Sequence, residues 1–598
     1  MKQKIIFTAI ILLLSLNPGF SQIQYLGGGS SSNVTVSTSS DYHDPLWEKT
    51  ASGMSTLDGQ GLDGARMEAS RFLSQATLGA DLNLIEKVAE MGIENWLEEQ
   101  FEMEGINYLE EVERIHDEWY QWHLSLGGDP DEFEQQITWM DYMYAWWSEN
   151  LFNEDLVRQR LALALSEILV ISIQSDLSFY GRGVATYYDI LSDHAFGNYK
   201  DLLLAVTLNP SMGFYLSHMD NPKSIPEENI HPDENYAREI MQLFSIGLYE
   251  LNLDGSRKTD SQGNFIPSYS NDDIKEFAKV FTGLGAGAVI ENEWIDFPVF
   301  DLGIYLADLS VPMKMYESWH QKGEKKLLNG YVIPDGQLGM QDIEDAIDHL
   351  FNHPNVGPFI GKQLIQRLVK SNPTPAYIAR VASAFNDNGQ GVRGDLKAVT
   401  RAILLDEEAR SCDWMQDPEN GKLREPILRY THAVRAMDID QAYGRFWNLG
   451  YNFLEQTGQA VLAAPSVFNF FLPYYQPNGP IADANLVAPE FQIHNARTSV
   501  GYLNAVFIWT MYDAVMDTWV ANNPYAHFDY YKLEPLARDN EVLLNQLDIL
   551  LTHGNLTDET RDIIKDALGG LYWSEYKENR ARLALYLLLI SPDYAIFK

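Results

Sequence analysis

The stretch HPDENYAREIMQLFSIGLYELN, residues 231–252, has the pattern of an amphipathic helix that begins near Pro232. Proline costs no hydrogen bond in a first helical turn, because an N–H group there would have no partner in the helix. The sequence therefore predicts a helix over residues 233–246, with Gly247 permitting the exit turn. At 100° per residue the polar side chains fall within one arc of roughly 140°; they are Glu234, Asn235, Arg238, Glu239, Gln242 and Ser245.

The polar arc of this helix has two explanations. Glu234 and Arg238 stand four residues apart, a spacing that favours an ion pair, and two amides and a second carboxylate lie beside them. A merely solvated face would be expected to use Lys and Glu loosely. These groups therefore face either other protein groups, in a buried structural network, or a ligand.

Helical patterns dominate the rest of the chain. The segment DLNLIEKVAEMG begins on Asp81 as N-cap and stops at Gly92. LVRQRLALALSEILVISI, residues 156–173, is apolar nearly all round and predicts a buried central helix. Further helices are predicted over residues 184–196, 199–208, 272–282, 341–352, 357–370, 375–386, 395–405, 423–436, 498–519, 540–552, 558–571 and 576–590.

Strand signals are few. GNFIPSY (263–269) and NGYVIP (329–334) can form a small hairpin within an insertion at about 253–335. No repeat of 30–45 residues is visible, so a solenoid is not supported. The sequence predicts a mainly α fold: a single large, irregular multi-helix domain over 65–598 with a small loop and β-hairpin insertion. A split near residue 440 stays open.

The first residues, MKQKIIFTAIILLLSLNPGFSQ, are typical of a secretory signal peptide over 1–21, with cleavage near Ser21. The apolar run is short for a spanning helix, although an uncleaved anchor is the alternative. Residues 22–64 contain GGGSSSNVTVSTSS and predict a flexible Gly/Ser-rich linker. We therefore expect an exported protein that is periplasmic, on the cell surface or secreted, with no transmembrane anchor in the mature chain.

Charge and cysteine content exclude several classes of function. The chain has 43 basic and 84 acidic residues, a formal charge of −41, which disfavours binding to nucleic acid phosphates. Cys412 is the single cysteine, which excludes thiolate zinc sites, iron–sulfur clusters and covalent c-type haem. The acidic surface suits a salty exterior; a cation-binding role is the alternative.

Several segments resemble one exported bacterial family. They include RFLSQATLG, RQRLALALSEILV, PDENYAREIMQLFSIGLYELN, HPNVGPFIGKQLIQRLVKSNPTPAYIARV, GKLREPILR, PSVFNFFLPYYQPNGPIADANLVAPEFQI and the closing LALYLLLISPDYAIF. From about residue 65 to its end the chain resembles the family catalogued as domain of unknown function 1800, whose name implies no reaction. Members tend to be encoded beside a sulfatase-like exported family, domain of unknown function 1501. The resemblance thus implies a shared task outside the cytoplasm and a sulfatase-like partner protein.

The candidate site is a cleft built from the middle of the chain. Arg160 and Glu167 lie seven residues apart on one stripe of an apolar helix, so Glu167 is predicted to be buried and paired. A His with two carboxylates can bind a divalent metal or act as acid and base on a polar substrate. The predicted catalytic residues are Glu234, Glu239 and His194, and the predicted binding residues are Arg160, Glu167, His218, Arg238 and Gln242. In the alternative, the histidines cap helix ends and a Glu/Arg lattice locks the helices.

Aromatic residues are plentiful, with 14 Trp, 32 Tyr and 27 Phe. Core packing of a large helical domain explains most of them. The Pro-bounded loop FLPYYQPNGP is the exception, because Pro-rich loops stay at the surface. Tyr474 and Tyr475 in this loop are predicted to bind, since exposed aromatic rings stack on sugars.

Two further motifs are better explained by structure than by chemistry. FNDNGQGVRGD resembles a calcium loop, but Lys397 stands where an EF-hand needs an acidic residue, so a helix–turn–helix link with Asp395 as N-cap is predicted. The segment with His320, Gly323 and Lys325 resembles a family segment in which Asp follows the His. Gln321 stands there in this chain, which puts an acid–base role in doubt.

Two functional hypotheses follow. The first is a non-enzymatic binding or assembly component outside the cytoplasm, acting with a sulfatase-like partner or a glycan. The alternative is a metal- or carboxylate-dependent hydrolase of a polar polymer such as a polysaccharide. No H-E-x-x-H or G-x-S-x-G motif occurs, and no complete catalytic set can be assembled, so the sequence favours the first.

Overall fold

Residues 64–292, 294–411, 419–441, 449–514 and 526–598 are described by a computed structural model of the chain. The predicted signal peptide (1–21) and the linker up to residue 63 lie outside the described residues, as does Cys412. The described residues all belong to one contact unit, Lys49–Lys598.

The described residues form a mainly α-helical fold, as the sequence predicts. The first twelve helices are α1 (Gly64–Ala76), α2 (Leu82–Met91), α3 (Ile93–Phe101), α4 (Tyr108–Ser125), α5 (Trp139–Phe152), α6 (Leu156–Ser166), α7 (Gly181–Asp193), α8 (Tyr199–Leu208), α9 (Pro210–Tyr215), α10 (Asn235–Gln242), α11 (Asn271–Val280) and α12 (Gly339–Phe351). The next twelve are α13 (Val356–Leu368), α14 (Pro375–Asn386), α15 (Leu396–Leu404), α16 (Glu407–Arg410), α17 (Pro426–Met437), α18 (Gly450–Thr457), α19 (Pro480–Asp483), α20 (Ala496–Met511), α21 (Asn540–Leu551), α22 (Asp558–Leu568), α23 (Trp573–Leu589) and α24 (Pro592–Ala595).

Capping residues set the helix ends where the sequence places them. The Asp81 carboxylate accepts a hydrogen bond from the Leu84 N–H at 2.8 Å and begins α2, which ends at Gly92 with φ 89°. Asp395 caps α15 by accepting from the Ala398 N–H at 3.0 Å, which confirms the predicted helix–turn–helix link.

The central helix α6 is buried, but it is shorter than predicted. It ends at Ser166 rather than at residue 173, and Glu167 is its C-cap. The residues that follow are rich in β-branched side chains, which favour extended backbone. Ile173 donates its N–H to the Leu462 carbonyl at 2.8 Å, so this stretch pairs with a distant segment instead of continuing the helix.

Strands in the described residues are short and antiparallel. They are β1 (Leu284–Gly285), β2 (Lys314–Met315), β3 (Lys325–Lys326), β4 (Val332–Ile333), β5 (Lys422–Leu423), β6 (Ile439–Gln441), β7 (Ala526–Phe528) and β8 (Ile596–Phe597). The pairs are β1 with β2, β3 with β4, β5 with β8 and β6 with β7. The predicted hairpin between 263–269 and 329–334 is therefore wrong. Phe265 forms a β-bridge with Thr259, and β4 pairs with β3. Pairing between segments that are close in sequence loses less entropy on loop closure.

The hydrophobic core runs through most of the described helices. Its largest fully buried side chains include four tryptophans, Trp96, Trp146, Trp147 and Trp509. Trp147 packs edge-on against Tyr430 with ring centroids 5.5 Å apart, which joins α5 to α17. Burial of these rings accounts for much of the aromatic content without a binding role.

Candidate ligand pocket

Helix α10 presents its polar arc at the surface for its first turn. The helix spans Asn235–Gln242, shorter than the predicted 233–246, and Tyr236 and Ile240 on its apolar side are buried. The Glu234 and Arg238 side chains are 39% and 40% exposed and lie 3.4 Å apart. The predicted ion pair is thus present, in a half-exposed position where such pairs contribute little to stability.

The chain leaves α10 through a turn that only glycine fits. Gly247 has φ 71°, and a Cβ atom there would lie 2.7 Å from the Phe359 ring. The buried Asn355 side chain then fixes the next residues against α13. Its Nδ2 donates to the Ile246 and Tyr249 carbonyls at 2.8 and 2.9 Å, and its Oδ1 accepts from the Leu251 N–H at 2.9 Å.

A pocket of about 190 Å³ lies between three segments: residues 242–257, residues 358–367 of α13 and residues 467–474. Its walls are largely apolar, and they include Leu243, Leu248, Leu251, Phe359, Val467, Phe468, Phe471 and Leu472. Apolar walls with a few convergent polar groups are the usual composition of a ligand site.

Three side-chain amide atoms on the pocket lining have no hydrogen-bond partner among the described residues. They are Gln363 Nε2, Gln366 Oε1 and Asn469 Nδ2, and all three are buried. Each buried polar group that lacks a partner costs roughly 1–3 kcal/mol, and a hydrogen bond to a bound molecule would offset that cost. Two of these buried atoms are donors and one is an acceptor.

Besides Arg367, two cationic side chains line the pocket. Lys362 is half-buried on α13 and forms no hydrogen bond or ion pair with a described residue. Burial, and then the nearby charge of Arg257, lower the pKa of Lys362. The Arg257 guanidinium lies over the rings of Tyr249 and Phe265, with its central carbon 4.7 and 4.9 Å from their centroids.

Beneath the pocket lies a buried ionic network of three cations and three carboxyl groups. We use this term for Arg160, Glu167, Arg367, Lys422, Glu425 and Glu490, which are all buried. The Lys422 ammonium donates to the Gln366 and Arg367 carbonyls at 3.1 and 2.6 Å. These carbonyls end α13 and lack partners within the helix, so the cation satisfies them.

Glu167 and Glu425 form a carboxyl pair within the network. The Gln459 amide donates to both, at 3.1 Å to Glu167 Oε1 and at 2.6 Å to Glu425 Oε2. Burial, and then the charge of Glu425, raise the pKa of Glu167 well above its usual range. Burial opposes ionisation of Glu425 as well, but Lys422 and the hydrogen bond with Glu167 lower its pKa. Glu167 is therefore the member of the pair that more readily holds a proton.

The comparisons with known proteins identify the family. The model of the family described as "Protein of unknown function (DUF1800)" matches residues 71–596. The chain belongs to this family. Neither the search of curated proteins nor the search of solved structures found a match.

The buried ionic network joins four of the segments that carry the family resemblance. Arg160 and Glu167 stand in RQRLALALSEILV, Lys422 and Glu425 in GKLREPILR, and Glu490 in the segment that ends APEFQI. Arg367 stands in the α13 segment GPFIGKQLIQRLVK. The segments typical of the family thus meet at the pocket floor.

Three of the ten residues predicted as site residues line the pocket: Glu167, Gln242 and Tyr474. Arg160 belongs to the network below, where its guanidinium donates to the Arg367 carbonyl. The Gln242 side chain accepts a hydrogen bond from the Tyr269 hydroxyl at 3.0 Å. Tyr475 is half-buried beside the pocket loop and is not part of the lining.

The other predicted site residues lie outside the pocket. His194 caps α7, where its Nδ1 lies 3.0 Å from the Ile190 carbonyl. The buried His218 ring stacks on Tyr236 with centroids 3.8 Å apart, and burial lowers its pKa to about 4. Glu239 is buried next to Arg238, and burial raises its pKa to about 7. With Glu234 and Arg238 at the surface, the catalytic roles of Glu234, Glu239 and His194 stay predictions.

No group of three or more His, Cys, Asp or Glu side chains in the described ranges is arranged to hold a metal ion. In the same ranges, no helix combines the length and apolarity required to cross a membrane. The His320 ring is buried between the Asp342 carboxylate, 3.0 Å from Nε2, and the Thr282 carbonyl, 2.9 Å from Nδ1, a structural arrangement that Lys325 completes.

Sequence reasoning missed most of the pocket lining. Lys362, Gln363 and Arg257 look like ordinary helix and loop residues, and nothing in their local spacing indicates that they converge. Asn469 has φ 63°, a left-handed conformation that Asn tolerates better than most residues. An Asn in the sequence is therefore only a weak indication of such a position. The better indication that these residues belong to a site is the family resemblance of the segments around α13 and residue 469.

Proposed function

We propose that this protein is an exported, non-enzymatic binding component, and that its pocket receives the end of a glycan chain. The observation that carries the proposal is the set of unpartnered polar atoms on Gln363, Gln366 and Asn469, placed among apolar and aromatic walls. Sugar hydroxyls both donate and accept hydrogen bonds, so one sugar can satisfy amide nitrogens and an amide oxygen together.

Aromatic side chains support a sugar as ligand. Phe359, Phe468, Phe471 and Tyr474 line the pocket, and Tyr474 is 59% exposed at its rim. A ring of this kind can cover the apolar face of a sugar while the hydroxyl groups at its edge bind polar partners. This arrangement explains why an otherwise apolar pocket contains several amides.

The size of the pocket supports binding of a chain end. A volume of about 190 Å³ is smaller than the roughly 300–1,000 Å³ of pockets that enclose drug-sized ligands. The pocket therefore suits one terminal sugar rather than several consecutive residues. A protein that holds a glycan end outside the cytoplasm could present it to a sulfatase-like partner, which is the partner the family resemblance implies.

Calorimetry with a panel of oligosaccharides tests the proposal. We expect binding of at least one oligosaccharide, and a loss of about tenfold or more in affinity for Gln363→Leu, which removes a free donor. Gln390→Leu at an exposed loop position is the matched control and should bind as the parent does. Equal binding by both variants, or no binding across the panel, would overturn the proposal.

A carboxylate-dependent hydrolase is the second candidate function. One feature favours it: burial and the charge of Glu425 raise the pKa of Glu167 at the pocket floor, which favours the protonated form that a general acid needs. This candidate predicts the release of new reducing ends from the bound polymer and the loss of that release in Glu167→Gln. Stable complexes without product, with binding retained in Glu167→Gln, would favour the binding protein.

A further inference from the structure

We propose that the glycan end carries an acidic group, a carboxylate or a sulfate, which Lys362 and Arg257 bind. This inference rests on the proposed function and specifies the ligand of the same pocket. The two cations line the pocket together, and neither has an anionic partner among the described residues.

The absence of an anionic partner for Lys362 is unusual in this protein. The chain has 84 acidic residues for 43 basic ones, so carboxylates are abundant. Buried lysines elsewhere are paired: Lys325 with Asp342, Lys370 with Glu408 at 2.9 Å, and Lys422 with Glu490 at 3.4 Å. Lys362 is half-buried without such a pair, and its ammonium is therefore available to an incoming anion.

Arg257 is held in place by aromatic rings rather than by a carboxylate. Its guanidinium lies over the adjacent rings of Tyr249 and Phe265, and these contacts leave its hydrogen-bond donors free. The charge of Arg257 disfavours the charged form of Lys362. Two adjacent cations repel each other, and an anion bound between them would relieve that repulsion.

Acidic groups near the pocket form no ion pair with Lys362 or Arg257. Glu250 on the same segment is engaged by Lys258 at 3.1 Å and by His353 at 3.4 Å. Glu167 at the pocket floor lies 3.4 Å from Arg367 and belongs to the network, so its contacts are with Arg367 and not with Lys362 or Arg257. The positive charge of Lys362 and Arg257 therefore remains for a ligand.

The proposal combines the two cations with the amide groups deeper in the pocket. The acidic substituent of the terminal sugar binds Lys362 and Arg257, and its hydroxyls bind Gln363 and Asn469. A carboxylate and a sulfate both present oxygens that accept hydrogen bonds from an arginine guanidinium. Uronic acids and sulfated sugars share this chemistry, and the experiment separates them.

Calorimetry on the full chain tests the charge of the ligand with matched acidic and neutral sugars. The probes are oligogalacturonate and its methyl ester, and dextran sulfate and dextran. The variants are Lys362→Gln, Arg257→Gln and the control Lys326→Gln, which removes the same charge from a side chain that is 73% exposed. Thermal unfolding of each variant verifies that it is folded.

We expect one acidic sugar of the two pairs to bind and its neutral counterpart to bind at least about tenfold more weakly. Lys362→Gln and Arg257→Gln should each remove this preference, and Lys326→Gln should keep it. If neutral sugars bind equally well, the charge inference is overturned while the proposed function stands. If no sugar binds, both are overturned. An equal loss in Lys326→Gln would indicate unspecific attraction and would also overturn the inference.

Discussion

Arg367 on α13 binds Glu167 at the end of α6 in two ways. Its Nη2 donates to the Glu167 backbone carbonyl at 2.8 Å, and its Nε lies 3.4 Å from the Glu167 carboxyl oxygen Oε2. Both residues line the pocket and both belong to the buried ionic network. The contacts that join two core helices therefore also form the pocket floor, so stability and ligand binding depend on the same side chains.

Replacing Arg367 with Met should destabilise the protein by roughly 3–5 kcal/mol, because it removes one of the three cations that offset the buried carboxyl groups of the network. Urea unfolding followed by circular dichroism measures this change. Arg182→Met is the control, since Arg182 is 49% exposed and pairs with Glu113 at the surface. The control substitution should lower the free energy of unfolding by less than about 1 kcal/mol. An equal loss of stability in the two variants would refute the structural role of the network.

The free energy of unfolding of Glu167→Gln should increase relative to that of the parent as the pH rises. Because the folded-state pKa of Glu167 lies above its unfolded value, the folded parent holds a proton that the unfolded chain releases. The parent thus loses stability as the pH rises above the unfolded pKa, by at most about 1.4 kcal/mol per pH unit, and Gln removes that loss. Urea unfolding of both proteins between pH 4 and pH 8 measures the difference. This range begins near the ordinary Glu pKa of about 4.3, which is the value expected in the unfolded chain. A stability difference between the two proteins that does not change with pH would contradict a raised pKa of Glu167.

His218 should make the parent less stable as the pH falls. Its folded-state pKa of about 4 lies below its ordinary value, so the contribution is fully present above the unfolded pKa of 6.5 and is lost as the pH falls towards 4. The whole effect amounts to roughly 3 kcal/mol. His218→Gln can keep the hydrogen bond to the Thr207 carbonyl, 2.8 Å away, without titrating. Its unfolding free energy should fall less steeply over this range, and parallel curves for the two proteins would rule out a buried neutral imidazole.

Gln363→Leu should raise the melting temperature or leave it unchanged while it weakens ligand binding. The Nε2 atom of Gln363 is buried without a partner, so an apolar side chain of similar size removes an unsatisfied donor. A gain in stability at the expense of binding is expected where a residue is retained for function. Differential scanning calorimetry measures the melting temperature. A clear drop would show that Gln363 serves the fold instead.

The sequence predicted the fold class and most of the helices, because their signals are local. Residues 375–386 and 199–208 match α14 and α8 residue for residue, since Pro375 and Asn198 mark the helix starts. Helix α6 was predicted too long because its apolar pattern continues beyond Glu167. The chain there pairs with Leu462, a contact between distant segments that no local pattern contains.

The pocket could be predicted only in part for the same reason. Glu167 and Gln242 were found from the polar residues of two helices, and Tyr474 from its loop. Lys362 and Arg257 stand about a hundred positions apart in the chain, and their lack of carboxylate partners is a property of the folded molecule. The sequence alone cannot distinguish such cations from solvated surface charges.

A crystal structure of the protein with a bound acidic trisaccharide tests the ligand assignment most directly. We predict that its terminal sugar occupies the pocket, with acidic oxygens within hydrogen-bond distance of Lys362 and Arg257 and hydroxyls on Gln363 and Asn469. A trisaccharide bound elsewhere on the surface, with these four side chains untouched, would contradict the assignment.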